Sequence, residues 1–194
     1  MLLFVRLQLM FRLELPQDWR HRPGPDGAMD EVLAHPNAAL KQRAEEVDAT
    51  ADDELRSLCA RLAEAMYAAP GVGLAATQIG VMKRVVVYDL EDGQGLVALC
   101  NPRIINVGEE TVLDEEGCLS LPGITVPVER AYAVVCEAEN LKGEPVRLEA
   151  NELHARLLQH EVDHLDGILI IDRATPEERK AAIRRYMDLA TSSR

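Results

Sequence analysis

The chain has 194 residues, 47% of them hydrophobic and 28% charged, which suits one soluble domain with a sizeable core. A net charge of -12 argues against direct nucleic-acid binding, because phosphate contacts need clustered Lys and Arg. No stretch approaches the roughly 20 apolar residues of a membrane span, and four cysteines without a CxxC pair fit a reducing, cytoplasmic setting better than a disulfide framework.

Residues 1 to 28 end in HRPGPDG, whose Pro and Gly mark a break. The alternation in LFVRLQLMFRLEL fits either an exposed strand or a poorly ordered extension. A signal peptide is disfavoured, since Arg6 and Arg12 interrupt the apolar run and no small-residue cleavage site follows. A helix is expected from about Asp52 to Ala68, where Leu55, Leu58, Cys59, Leu62, Ala65 and Met66 recur at three- and four-residue spacing. Thr50 and Asp53 have capping-box spacing before it, and Pro70-Gly71 stops it. RVVVYDL (84–90) and GLVALC (95–100) read as strands around a turn at Asp92-Gly93. AYAVVCEAEN and PVRLEA read as a second hairpin around Lys142-Gly143. Asn151 then opens a helix ending at Gly167. A last helix starts at TPEE, with Thr175 as N-cap, Pro176 at the first position and Glu178 closing the box. Hairpins set apart from helices predict an α+β fold: antiparallel sheets around a central helix, with a C-terminal helix.

The central helix carries QHEVDHLDG. Leu153, Leu157, His160 and His164 follow one another by four, three and four, so they share one stripe, and the leucines are expected to bury it. Glu161 is rotated about 80° from that stripe, at its edge. HExxH is the spacing that brings two imidazoles onto one divalent metal, with the Glu as general base. Two hydrogen-bonded core histidines on an amphipathic helix would give the same pattern.

A metal site of this kind needs a third protein ligand, and the usual peptidase completions fail. Ile170 stands where a third His would be, and the only downstream glutamates, Glu177 and Glu178, open a separate helix. The ligand must come from upstream. The best candidate is Cys118 in EEGCLSLPG, where Gly117 permits close backbone approach and a thiolate beside two imidazoles suits a borderline-soft divalent ion.

With these residues in view the sequence resembles the peptide deformylase family. The family's three motifs occur in order: GVGLAATQ (71–78), EGCLS (116–120) and QHEVDHLDG (159–167). The resemblance runs from about Met29 to about Met187 and implies one catalytic domain over 29–194. It implies metal ligation by Cys118, His160 and His164, with Glu161 as general base and then acid. The Gln78 side chain and the Leu119 N–H would hold the formyl oxygen. Gly73 would pair with the peptide as an added strand, and Val72, Leu153 and Leu157 would contribute to the methionine pocket. It implies Fe2+ as the native ion, with Zn2+ or Ni2+ tolerated. It also implies formyl-methionyl nascent chains as substrates, formate as product and transient ribosome association. Two features depart from the family. One branch carries Arg where this chain has Thr125, and the family's usual start lies near Met29, so residues 1–28 are a genuine extension or a misplaced start codon.

The rival readings are a zinc peptidase of another kind, a metal-stabilised binding module in which Glu161 is dispensable, and Cys118 as nucleophile with a His base. Cys59, Cys100 and Cys136 read as packed thiols, and His21, His35 and His154 show no partner pattern. Asp163 and Asp166 could orient a ligating imidazole or simply solvate and cap the helix.

Overall fold

The computed structural model describes residues 29–50 and 52–192; both readings of residues 1–28, with His21, lie outside the described residues. Helix α1 spans Asp52–Ala68. Strands β1 (Gly73–Ala75), β2 (Val85–Tyr88) and β3 (Val97–Val107) follow, then β4 (Thr111–Gly117), β5 (Thr125–Ala131), β6 (Ala133–Glu139) and β7 (Pro145–Asn151). Helix α2 is Glu152–Leu165, a short α3 is Ile170–Arg173, and α4 is Pro176–Ser192. Five strands form one antiparallel sheet in the order β1-β2-β3-β6-β7, and β4 pairs β5 in a separate two-stranded sheet. The architecture is the α+β arrangement expected, with α2 between the two sheets. Among the described residues no helix is long and apolar enough to cross a membrane.

The unbroken apolar run of β2 has a simple cause: both faces of the five-stranded sheet are covered. Val85 and Val87 pack with Leu58, Leu62 and Met66 of α1, while Val86 and Tyr88 join Leu157, Leu158 and Leu165 of α2. Both expected hairpin turns form, with Gly93 at φ 87° and Gly143 at φ 73°, a left-handed backbone that glycine adopts without steric cost. The C-terminal capping box forms as well: Glu178 N–H donates to Thr175 Oγ1, and Thr175 N–H donates to Glu178 Oε2.

Four details differ from expectation. Before α1, the Thr50 hydroxyl donates to Asp48, and the intervening Ala51 lies outside the described residues. Asn151 occupies the N-cap of α2 but makes no side-chain capping bond. The strand ending at Cys100 in the sequence reading instead continues to Val107. There Asn101, at φ 53°, ties its side chain to both backbone groups of Val47, and the irregular register at this point lets β3 pair β2 first and β6 afterwards. The β4–β5 hairpin was not anticipated at all. Its first strand exposes Val112 and Leu113 and buries Glu116, the reverse of the apolar-in alternation that marks a strand.

Candidate active site

One cavity of about 1160 Å³ opens between the end of α1, the edge strand β1, the loop after β4, and helices α2 and α4. Nine of the ten predicted site residues line it: Val72, Gly73, Gln78, Cys118, Leu119, Leu153, Leu157, His160 and Glu161. The tenth, His164, is buried behind them at 2% exposure.

Cys118 Sγ lies 3.2 Å from His164 Nε2, which is 3.2 Å from His160 Nε2. The three ligand atoms all fall within 4.8 Å of one another, close enough to surround one ion. They come from two elements, for α2 carries both imidazoles and the end of β4 delivers the sulfur. Burial alone would raise the Cys118 thiol, but the His164 and His160 rings outweigh it and hold the thiol well below its ordinary range. Burial likewise disfavours a charged His160, yet Cys118 and Glu116 push it up to about 10. Two nitrogens and one sulfur, with the cavity on their open side, are the donor set and access that a catalytic divalent site requires.

Glu116 supplies what the sequence reading lacked. Its Oε2 lies 3.1 Å from His160 Nδ1, so that nitrogen donates and Nε2 is left with its lone pair toward Cys118 and His164. Burial disfavours the Glu116 anion, but the His160 ring and Arg130 outweigh it and hold the carboxyl down at about 2. Arg130 Nε and Nη2 each donate at 3.0 Å to Glu116, and Nη1 donates to Asp163. Arg156 Nη1 donates to Glu116 Oε1 at 2.6 Å, and its guanidinium also reaches the carbonyls of Val128 and Val112, one on each strand of the hairpin. Of the two readings of Asp163 and Asp166, imidazole orientation does not form: Asp163 pairs with Arg130 and Arg173, and Asp166 stands at the C-cap of α2 and pairs with Arg84. Glu116 opens the EGCLS motif, but with Glu115 beside it a strand bearing acids on both faces does not show which one is buried.

Glu161 is 4% exposed. A Cβ placed on Gly73 would sit 2.4 Å from its Oε1, so glycine lets the strand approach the carboxylate without displacing that side chain, while among the described residues Oε2 is buried without a hydrogen-bond partner. Burial pushes its carboxyl up, against the pull of the two imidazoles. Gln78 stands in a 3-10 turn, Ala76–Ile79. Its Oε1 accepts from the Ala75 N–H at 2.9 Å, which turns Nε2 toward Ser120 Oγ at 3.2 Å and Cys118 Sγ at 3.9 Å. Among the described residues no hydrogen bond uses the Leu119 N–H.

The apolar wall differs from expectation in one respect. Leu157 is buried, but Leu153 is 59% exposed, because the first turn of α2 reaches the cavity mouth instead of the core. Val72 is 45% exposed at the same mouth. Elsewhere His154 Nε2 lies 3.1 Å from the Tyr88 hydroxyl, His35 packs edge-on against Tyr186, and Cys59, Cys100 and Cys136 are fully buried.

Residues 29–180 match the family described as polypeptide deformylase. A peptide deformylase of Thermodesulfovibrio yellowstonii is 42% identical over 162 residues, 82% of this chain and 97% of that protein. One of Acidothermus cellulolyticus is 54% identical over 134 residues, 69% of this chain and 72% of that protein. The crystal structure of a peptide deformylase from Legionella pneumophila superposes with a TM-score of 0.79 at 36% identity, covering 86% of this chain and 98% of that one.

Proposed function

This chain belongs to the polypeptide deformylase family, and from that premise we propose that it is a metal-dependent hydrolase removing the N-formyl group from formyl-methionyl polypeptides, with release of formate. The observation that carries the reading is the convergence of Cys118, His160 and His164 beside a buried Glu161 in a cavity bordered by an edge strand. Cys118, His160 and His164 would hold the ion, which supplies Lewis-acid activation of water when bound. Glu161 accepts the proton of the attacking water and returns it to the leaving amine. The Gln78 side-chain amide and the Leu119 N–H donate to the oxyanion as it develops, a task in which losing one donor typically costs about 10²–10³ in rate.

The free edge of β1 at Gly73 pairs with the peptide backbone as an added strand. Val72, Leu153 and Leu157 form the apolar wall for the methionine side chain. Selectivity for formyl follows from crowding. A formyl carbon bears only hydrogen, so a crowded inner end admits it and excludes a longer acyl chain.

Ferrous iron is the native ion in this reading, and zinc or nickel can replace it. The thiolate and the iron are both open to oxidation, so anaerobic preparations should be more active than aerobic ones. Equal activity, with zinc alone bound, would remove iron from the proposal. Nascent chains would bring the protein transiently to ribosomes in the cytoplasm, which cosedimentation with translating ribosomes tests.

The deciding experiment measures formate release from a formyl-Met peptide. Chelation should abolish it, and Glu161→Gln should lower it by about 10²–10⁴ with metal content unchanged. A purely structural metal site would leave no activity for Glu161→Gln to lower, and a Cys118 nucleophile would keep working after chelation.

A further inference from the structure

The cavity is larger than the proposed chemistry at its inner end needs. Pockets of about 300–1,000 Å³ bury a whole drug-sized ligand, and this one, at about 1160 Å³, exceeds what a formylated methionine alone at its inner end would fill. Its far wall is α4. Residues Arg185, Asp188, Leu189 and Ser192 line it, and they recur at three, one and three, which makes one continuous helix face. The adjoining face holds the helix in place: Ala182 is buried, Ile183 and Tyr186 pack against the cluster containing Cys118 and Leu121, and the Tyr186 hydroxyl donates to the His35 carbonyl. Leu189 also lies against Gly123, where an added Cβ would approach within 3.0 Å. The wall is therefore a fixed part of the same cavity.

Arg185 Nη2 donates to the main-chain carbonyl of Thr125 at 3.3 Å, and that is its one hydrogen bond among the described residues. A guanidinium carries five N–H donors in a rigid fork, so most are unused by hydrogen bonds among the described residues at this exposed, cavity-lining position. Asp188 on the same face offsets the charge, which favours recognition of neutral carbonyl oxygens over recognition of acidic side chains. Such recognition suits a substrate whose sequence varies beyond the methionine.

Resting on the function proposed above, we infer that Arg185 and the α4 face form a downstream subsite, in which the Arg185 guanidinium donates to main-chain carbonyls of residues following the methionine. Arg185 is then a specificity-determining residue for peptide length, remote from the reacting atoms.

The test compares formyl-Met amide with formyl-Met-Ala-Ala-Ala amide, both without a terminal carboxylate, using the metal-loaded protein. The readout is the ratio of kcat/KM for the long substrate to that for the short one. Arg185→Met keeps the aliphatic stem and should reduce this ratio about tenfold, chiefly through KM, as for loss of one charged hydrogen bond. Arg185→Lys keeps the charge without the fork and should fall between the two. Arg184→Met removes a neighbouring cation outside the cavity wall and should leave the ratio as in the wild type. The inference fails if Arg185→Met leaves the ratio unchanged, or if it lowers both substrates alike together with the melting temperature, the mark of a helix anchor. It fails equally if Arg184→Met matches Arg185→Met, since long-range charge would then explain the effect. Absence of formate from every peptide with the wild type would instead sink the function on which the inference rests.

Discussion

On one side of α2 the five-stranded sheet presents Val86, Leu99, Val134 and Cys136, all apolar and buried against Leu157, Leu158 and Leu165. On the other side the β4–β5 hairpin meets the same helix through Glu116 and Arg130, with Arg156 of α2 reaching back to Glu116 and to both strands, while the inward Val126 and Val128 pack toward α3 and α4. The contrast separates two jobs. Apolar contact is non-directional and supplies bulk stability, but it does not orient an imidazole. A charge-assisted hydrogen-bond network is directional and stays costly to disturb once buried. The first contact supports the helix, and the second aims His160 and holds Cys118 within reach of both rings.

Breaking the polar side at its centre should have the largest effect. Arg130→Met leaves Glu116 and Asp163 buried with their shared cation gone, and removal of one partner from such a pair costs about 3–5 kcal/mol. Urea unfolding at equal metal loading measures it, and a loss below about 1 kcal/mol would show that Arg156 and Arg173 already neutralise the two acids.

On the apolar side, Leu62→Ala empties a fully buried position between α1 and the sheet. It should lower unfolding free energy by about 2–5 kcal/mol while metal affinity per folded molecule stays constant. A parallel loss of metal affinity would mean that the two jobs are not separable. The smallest change is Glu116→Gln, which keeps an acceptor and removes the charge. Metal affinity should fall about 10–100-fold, read by competition with a chelator of known affinity, and an unchanged value would assign the orientation of His160 to packing alone.

The same contrast explains what could be read in advance. The hairpin around Asp92-Gly93, the one around Lys142-Gly143 and the box at Thr175 were legible because each signal is local, a turn residue or a cap beside a periodic apolar run. The β4–β5 hairpin was not legible, since its one buried β4 residue is a glutamate. Nor was the exposure of Leu153, which matches its helix periodicity but sits where α2 has already left the core. Arg185 gave no signal at all, because its place on the cavity wall depends on where α4 docks.

By itself, then, the sequence determined the elements and their order, and with His160 and His164 one helical turn apart it also determined that two imidazoles face the same way. Local hydrogen bonding and side-chain period are enough for that. The sequence also offered Cys118 as their third partner, but only the tertiary structure brought its sulfur, 46 positions before His164, to them, and only it decided that the Glu116 carboxylate meets His160 and that the α4 face stands across the cavity. Those contacts join distant segments through packing of the whole domain, and no local pattern records the balance of charge and burial that selects them.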